Sequence, residues 1–200
     1  MYHFITPCSI SVSGQSMAGK STYVAKLVQQ RKELFNPCHI KKVLWYSPVA
    51  EIKNPLNNVF YTSKIPDLSN LPRQTMLILD DAQTELVNNP EFVTLLTREA
   101  HHKDLVIIYI QHNVFTPSKY GRTASINFIY QIIFGNPRDI LCCSILSRQT
   151  ILGKKMEQAY KKVTEEPYQP LICDFSMKCP NKFRLRSHIL RDDGFCRVYL

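Results

Sequence analysis

Residues 14–21 read Gly14-Gln15-Ser16-Met17-Ala18-Gly19-Lys20-Ser21, a fit to the pattern G-x-x-x-x-G-K-[ST]. In such a loop the glycines let backbone N–H groups curl round phosphate oxygens, and a helix starting at the lysine aims its positive end at the same anion. Lys20 then reaches the β and γ phosphates of a nucleotide. The Ser21 hydroxyl is expected on Mg²⁺, and Thr22 is placed to donate to a phosphate further along. At average composition a chance match in a chain of this length is on the order of one percent. Two of the chain's six glycines fall in this loop, which argues against an ordinary surface turn.

A second cluster follows the apolar run Met76-Leu77-Ile78-Leu79, which ends in Asp80-Asp81. Carboxylates at the C-terminal end of a buried parallel strand sit on the edge where such sheets bind ligands. Asp80 is expected to hold the Mg²⁺ shell, and Asp81 to accept the proton of an attacking water. The next apolar run, Leu105 to Ile110, ends in Gln111, whose amide would reach the γ-phosphate or the lytic water. Charge spread over a γ-phosphate in a cleavage transition state calls for a further cation. Arg98 is one candidate: if Phe92, Leu95 and Leu96 mark the buried side of its helix, it points the opposite way, towards solvent or a neighbouring subunit. Arg122 and Arg138 compete with it.

These groups need a scaffold, and the pattern supplies one of the α/β class. Pro7 to Ser13 alternates and stops at Gly14, as a strand entering a tight loop does. Lys20 to about Phe35 carries good helix formers with Val24, Leu27, Val28 and Leu34 at helical spacing. Val43–Ser47 and Val59–Thr62 read as strands, and the fully apolar runs 76–79 and 105–110 as central strands of a parallel sheet. Asn89-Pro90-Glu91 opens a helix to about His102. Strand 130–134, helices 137–148 and 154–166, and strands 171–175 and 183–190 complete an alternating order. In the last strand, alternation places Arg184, Arg186 and His188 on one face, which would line a phosphate track or simply protect a sheet edge.

Composition narrows the classes. The 200 residues suit one domain throughout, with 44% hydrophobic residues and no repeat, which excludes disorder and low-complexity chains. No apolar run approaches the roughly 20 residues of a membrane span, and the N-terminus lacks a secretory leader, so an intracellular protein without a membrane partner is expected. Seven cysteines without a CxxC pair fit reduced thiols, and neither Cys38-His39 nor Cys173, Cys179 and His188 match zinc-ligand spacing. The net charge of +9 favours a polyanionic partner.

Taken in order, Leu79-Asp80-Asp81, the stretch Leu96 to His102, Ile108 to Phe115, Arg122 to Asn127 and Phe134 to Asp139 resemble the viral genome-packaging ATPases of the FtsK–HerA superfamily. The resemblance runs from about Ile10 to Phe175. It implies an additional-strand P-loop core with a mostly parallel sheet flanked by helices, ATP and Mg²⁺ as cofactors, and translocation of double-stranded DNA into a capsid. It further implies a homo-oligomeric ring, a capsid or portal protein as partner, and a place in the host cytoplasm or nucleus or with the virion. Lys20, Asp80, Asp81 and Gln111 keep their roles under the resemblance, and Arg98 becomes the leading trans finger, with Arg122 second. The family departure is Asp81, where many related motors carry Glu, giving the base a shorter reach. Cutting of concatemers by a terminase-type nuclease domain is not expected. A P-loop kinase with Lys154 to Lys162 as its lid, and a helicase or replication initiator, are the competing readings.

Overall fold

The computed structural model describes residues 2–48, 55–115, 118–139 and 141–200. The first half runs β1 (Phe4–Ile5), β2 (Cys8–Ser13), α1 (Lys20–Gln29), α2 (Arg31–Leu34), β3 (Phe35–Asn36), β4 (Lys42–Tyr46), β5 (Phe60–Thr62) and β6 (Thr75–Asp80). The short helices α3 (Gln83–Leu86) and α4 (Pro90–Thr94) follow. A π-helical turn over Leu95–Glu99 then leads into α5 (Ala100–His102) and β7 (Val106–Gln111). The remainder is α6 (Gly121–Ile126), β8 (Tyr130–Ile133), α7 (Leu141–Gln149), α8 (Gly153–Thr164), β9 (Leu171–Asp174), β10 (Leu185–Ser187) and β11 (Arg197–Val198).

Strands whose side chains are apolar on both faces must be covered on both faces, and Met76, Leu77, Ile78 and Leu79 have no solvent exposure at all. They lie in a nine-stranded sheet of order β11-β10-β9-β8-β2-β7-β6-β4-β5. From β5 to β8 every pairing is parallel, while β9, β10 and β11 are added antiparallel. β7 stands between the strand that enters the glycine loop and the strand that ends in the two aspartates. This is the additional-strand arrangement that the resemblance implies. Even and odd strand positions feed opposite cores. Ile10, Val12, Ile78 and Ile108 pack with Val24, Leu27 and Val28 of α1, whereas Leu77, Leu79, Ile107 and Tyr109 pack with Phe92, Leu95 and Leu96.

Several expected boundaries move, each for a local reason. The helix from Lys20 breaks at Gln30, where Arg31 Nη1 donates to Val28 O at 2.7 Å, and the chain then turns Phe35 into β3 beside Phe4 of β1. The helix expected from Pro137 starts at Leu141, because Asn136 Oδ1 accepts from Arg138 N and Asp139 Oδ1 accepts from Cys142 N at 3.1 Å, which closes a turn first. Ile140, within that expected helix, lies outside the described residues. At Asn89 the expected cap is present: Oδ1 accepts from Glu91 N at 2.8 Å, with Pro90 as the first helical residue. The segment Lys154 to Lys162 belongs to α8, whose Met156, Ala159, Tyr160 and Val163 pack into the core with α7, so it is no mobile lid.

The expected strand 183–190 shrinks to β10, and its basic face is not a phosphate track. Arg184 is buried and donates to the carbonyls of Asp174 and Ser176, each at 2.9 Å. Arg186 pairs with the buried Asp174 at 3.7 Å and stacks over Tyr2, and His188 is bound by Glu166. Burial of an arginine requires such partners, so alternation here marks an internal network rather than a solvated stripe.

Candidate functional site

Register decides which residues meet. Ser13, the last residue of β2, pairs with Gln111 of β7 on one side and Ile133 of β8 on the other, and Asp80 of β6 pairs with Ile110. The ends of four parallel strands therefore stand level, and the glycine loop rises from the middle of that edge. The loop's shape depends on its glycines. Gly14 has φ +151°, and a β-carbon built on it would stand 2.7 Å from Phe134 Cβ, a distance real atoms do not tolerate. Gly19 has φ +90° and leads directly into α1. Ser16 and Met17 form the crown, with Met17 94% exposed, while Gln15, Ala18 and Gly19 are partly covered.

Lys20 is buried and folds back into its own loop, donating to Gly14 O and Gln15 O at 2.8 Å each. Burial pulls the ammonium's pKa below its usual value, and the negative charges of Asp81 and Asp80 work against that pull. Asp80 shows the opposite balance. Burial raises its carboxyl pKa, the hydrogen bond from Ser21 lowers it, the charge of Asp81 raises it again, and the hydrogen bond from Trp45 and the charge of Lys20 lower it. A cation between Ser21 and Asp80 would relieve this desolvated, like-charged arrangement. The donor set, one hydroxyl and one carboxylate, suits a hard divalent ion that keeps most of its waters. Among the described residues no cluster of three or more His, Cys, Asp or Glu could hold a metal by protein ligands alone.

Asp81 is half exposed and has φ +53°, a left-handed conformation that Asp tolerates better than most residues. Its Oδ1 lies 2.8 Å from His112 Nε2, immediately after Gln111 on the neighbouring strand. Gln111 itself is only 6% exposed. A cleft of about 420 Å³ opens beside Ser21, Thr22 and Asp80 and is walled by Trp45 and Tyr61. The structure thus brings together the glycine loop with Lys20 and Ser21, Asp80 and Asp81, whereas Gln111, level with Ser13 in the sheet, lines a separate pocket with Leu86, Phe92, Tyr109 and Ser118.

The arginines lie elsewhere. Arg98 sits in the π-helical turn, exposed and away from the buried Leu95 and Leu96, with its Nε 3.0 Å from Glu99 Oε1. Glu99 is held in turn by Lys103 Nζ at 3.2 Å. Arg122 is exposed in α6, and Arg138 is exposed in the turn after β8. Three further site residues escaped sequence reasoning: Trp45 on Asp80, His112 on Asp81, and Tyr168 against Gly19. Only His112 carried a local signal, as the first residue after a buried strand that ends in a polar amide.

No protein-family model and no curated protein matches the chain. Solved structures do. The genome packaging NTPase B204 from Sulfolobus turreted icosahedral virus 2, in complex with sulfate, superposes with a TM-score of 0.57 at 14% identity, over 97% of this chain and 97% of that chain. Its complex with ATP-gammaS gives a TM-score of 0.54 at 13% identity with the same coverage of both chains. B204, the DNA-packaging ATPase from Sulfolobus turreted icosahedral virus, gives 0.55 at 13% identity, again over 97% of each chain. At such identity the likeness is one of fold, and over nearly its whole length this chain has the fold of a P-loop ATPase.

Proposed function

We propose that residues 1–200 form one ATPase domain that hydrolyses ATP with Mg²⁺ and uses the cycle to move double-stranded DNA into a viral capsid, working inside the host cell as a ring of identical subunits. The observation that carries this reading is the register that sets Ser13, at the foot of the glycine loop, level with Gln111, and Asp80 level with Ile110, with one strand inserted between loop and aspartates. The structural neighbours support it: B204 is described as a genome packaging NTPase, and its solved complexes include ATP-gammaS and AMPPCP.

In this reading the backbone of Gly14 to Ser21 cradles the phosphates and Lys20 leaves its two loop carbonyls to contact the β and γ phosphates. Ser21 and Asp80 hold the Mg²⁺, which neutralises charge on the β and γ phosphates. Asp81 accepts the proton of the attacking water, steadied by His112, and Gln111 orients that water from the adjacent strand. Arg98 is the trans finger, freed from Glu99 as the next subunit closes, with Arg122 the second candidate. The net charge of +9 favours a polyanionic partner, which in this reading is duplex DNA, with a capsid or portal protein as the anchor against which it works.

Steady-state hydrolysis with Mg²⁺ tests the reading. Linear duplex DNA is expected to stimulate turnover, the stimulation to weaken as salt rises, and specific activity to climb steeply with protein concentration as rings assemble. Hydrolysis indifferent to DNA, salt and concentration contradicts it.

A further inference from the structure

A nucleoside triphosphate whose terminal phosphate points at Asp80 and Gln111 must extend its base away from β6 and β7, across β2 towards β8. The loop that waits on that flank is 165–170. It enters β9 at Leu171, which pairs with Ile133, and Ile133 pairs in turn with Ser13 at the foot of the glycine loop. At its tip Gln169 N donates to Glu166 O at 3.3 Å, closing a turn with Pro167 and Tyr168 as the central residues. Tyr168 has φ +64°, the conformation a turn of this kind normally reserves for glycine or asparagine, and one that disfavours a bulky ring.

The ring is nevertheless 72% exposed, and it lies on the glycine loop: a β-carbon built on Gly19 would stand 3.3 Å from Tyr168 Cδ1 and 3.9 Å from Cγ. An aromatic residue that is mostly bare to solvent, held in a glycine conformation and packed on the phosphate loop contributes little to the core. Both ends of its turn are anchored by the C-terminal segment. Glu166 is bound by His188 Nε2 at 2.8 Å and by Arg197, Ser187 Oγ lies 2.6 Å from His188 Nδ1 and 2.9 Å from the Tyr199 hydroxyl, and Gln169 Nε2 reaches Asp193 at 3.4 Å. The unexpected internal network of β10 thus ends on this turn.

We infer that Tyr168 is the platform on which the nucleobase stacks, with Glu166, His188 and Arg197 as the residues that position it; this rests on the nucleotide reading above. Every base has a π face, so such a platform gives affinity for the base while leaving phosphate capture to the glycine loop. The test is calorimetric titration of the full chain with Mg²⁺ and either ATP or inorganic tripolyphosphate. Tyr168→Ala and Tyr168→Gly are expected to weaken ATP by about 5- to 150-fold, the range of one base–aromatic stack, and to leave tripolyphosphate unchanged. Tyr168→Phe is expected to keep wild-type affinity for both. Glycine suits φ +64°, so Tyr168→Gly loses the ring without straining the turn. Equal loss of ATP and tripolyphosphate would make the ring a prop for Gly19 and overturn the inference, as would no loss of either. Wild-type protein that binds neither ligand would overturn the nucleotide reading itself.

Discussion

Replacing Lys20 with alanine is expected to lower affinity for Mg²⁺-ATP by about 100-fold or more while the fold is retained. The loop itself holds the ammonium in place by two 2.8 Å hydrogen bonds to its carbonyls. Hydrogen bonds between a charged group and a phosphate are worth about 1.5–3 kcal/mol each, and truncating one side of a buried charge contact costs about 3–5 kcal/mol. Burial disfavours the ammonium in the free protein, so its interactions with the ligand are made from a site already stripped of water. Titration calorimetry measures the loss, and a melting curve beside it separates lost binding from lost structure. A Lys20→Ala protein that binds ATP as tightly as the wild type contradicts the assignment of this loop.

The second large effect separates binding from chemistry. Asp81→Asn is expected to bind Mg²⁺-ATP normally and to turn it over about 10²- to 10⁴-fold more slowly, the usual range for a general base. Asn keeps the size of the side chain and tolerates the left-handed backbone at φ +53°, so the geometry beside His112 survives. What is lost is the acceptor for the water's proton. Single-turnover hydrolysis of prebound ATP reads this step without product release. Normal single-turnover rates in the variant would remove Asp81 from the base role and point to Gln111 or His112 as the group nearest the water.

Much of this site was legible because it is local. The glycine loop announces itself in eight consecutive residues, and the apolar runs 76–79 and 105–110 lead directly into Asp80 and Gln111. Parallel strands covered on both faces have no other pattern available. The parts that were not legible depend mostly on distant chain. Gln29 to Glu33 consists of good helix formers, yet the helix breaks at Gln30, where Arg31 Nη1 donates to Val28 O. The alternation of Arg184, Arg186 and His188 resembles a solvated face until Asp174 on β9 and Glu166 before it are brought alongside. Tyr168 belongs to no motif, and its meaning comes from contact with a glycine 149 positions earlier, a distance given by 168 − 19.

The most direct test of a DNA-translocating motor is displacement of a third strand. A triplex-forming oligonucleotide annealed to linear duplex DNA is mixed with the protein, Mg²⁺ and ATP, and its release is followed by fluorescence. Release that requires ATP, leaves the duplex intact and disappears in Lys20→Ala is the predicted result. Robust hydrolysis without release, or release accompanied by separation of the duplex strands, would contradict a packaging translocase, the latter in favour of a helicase.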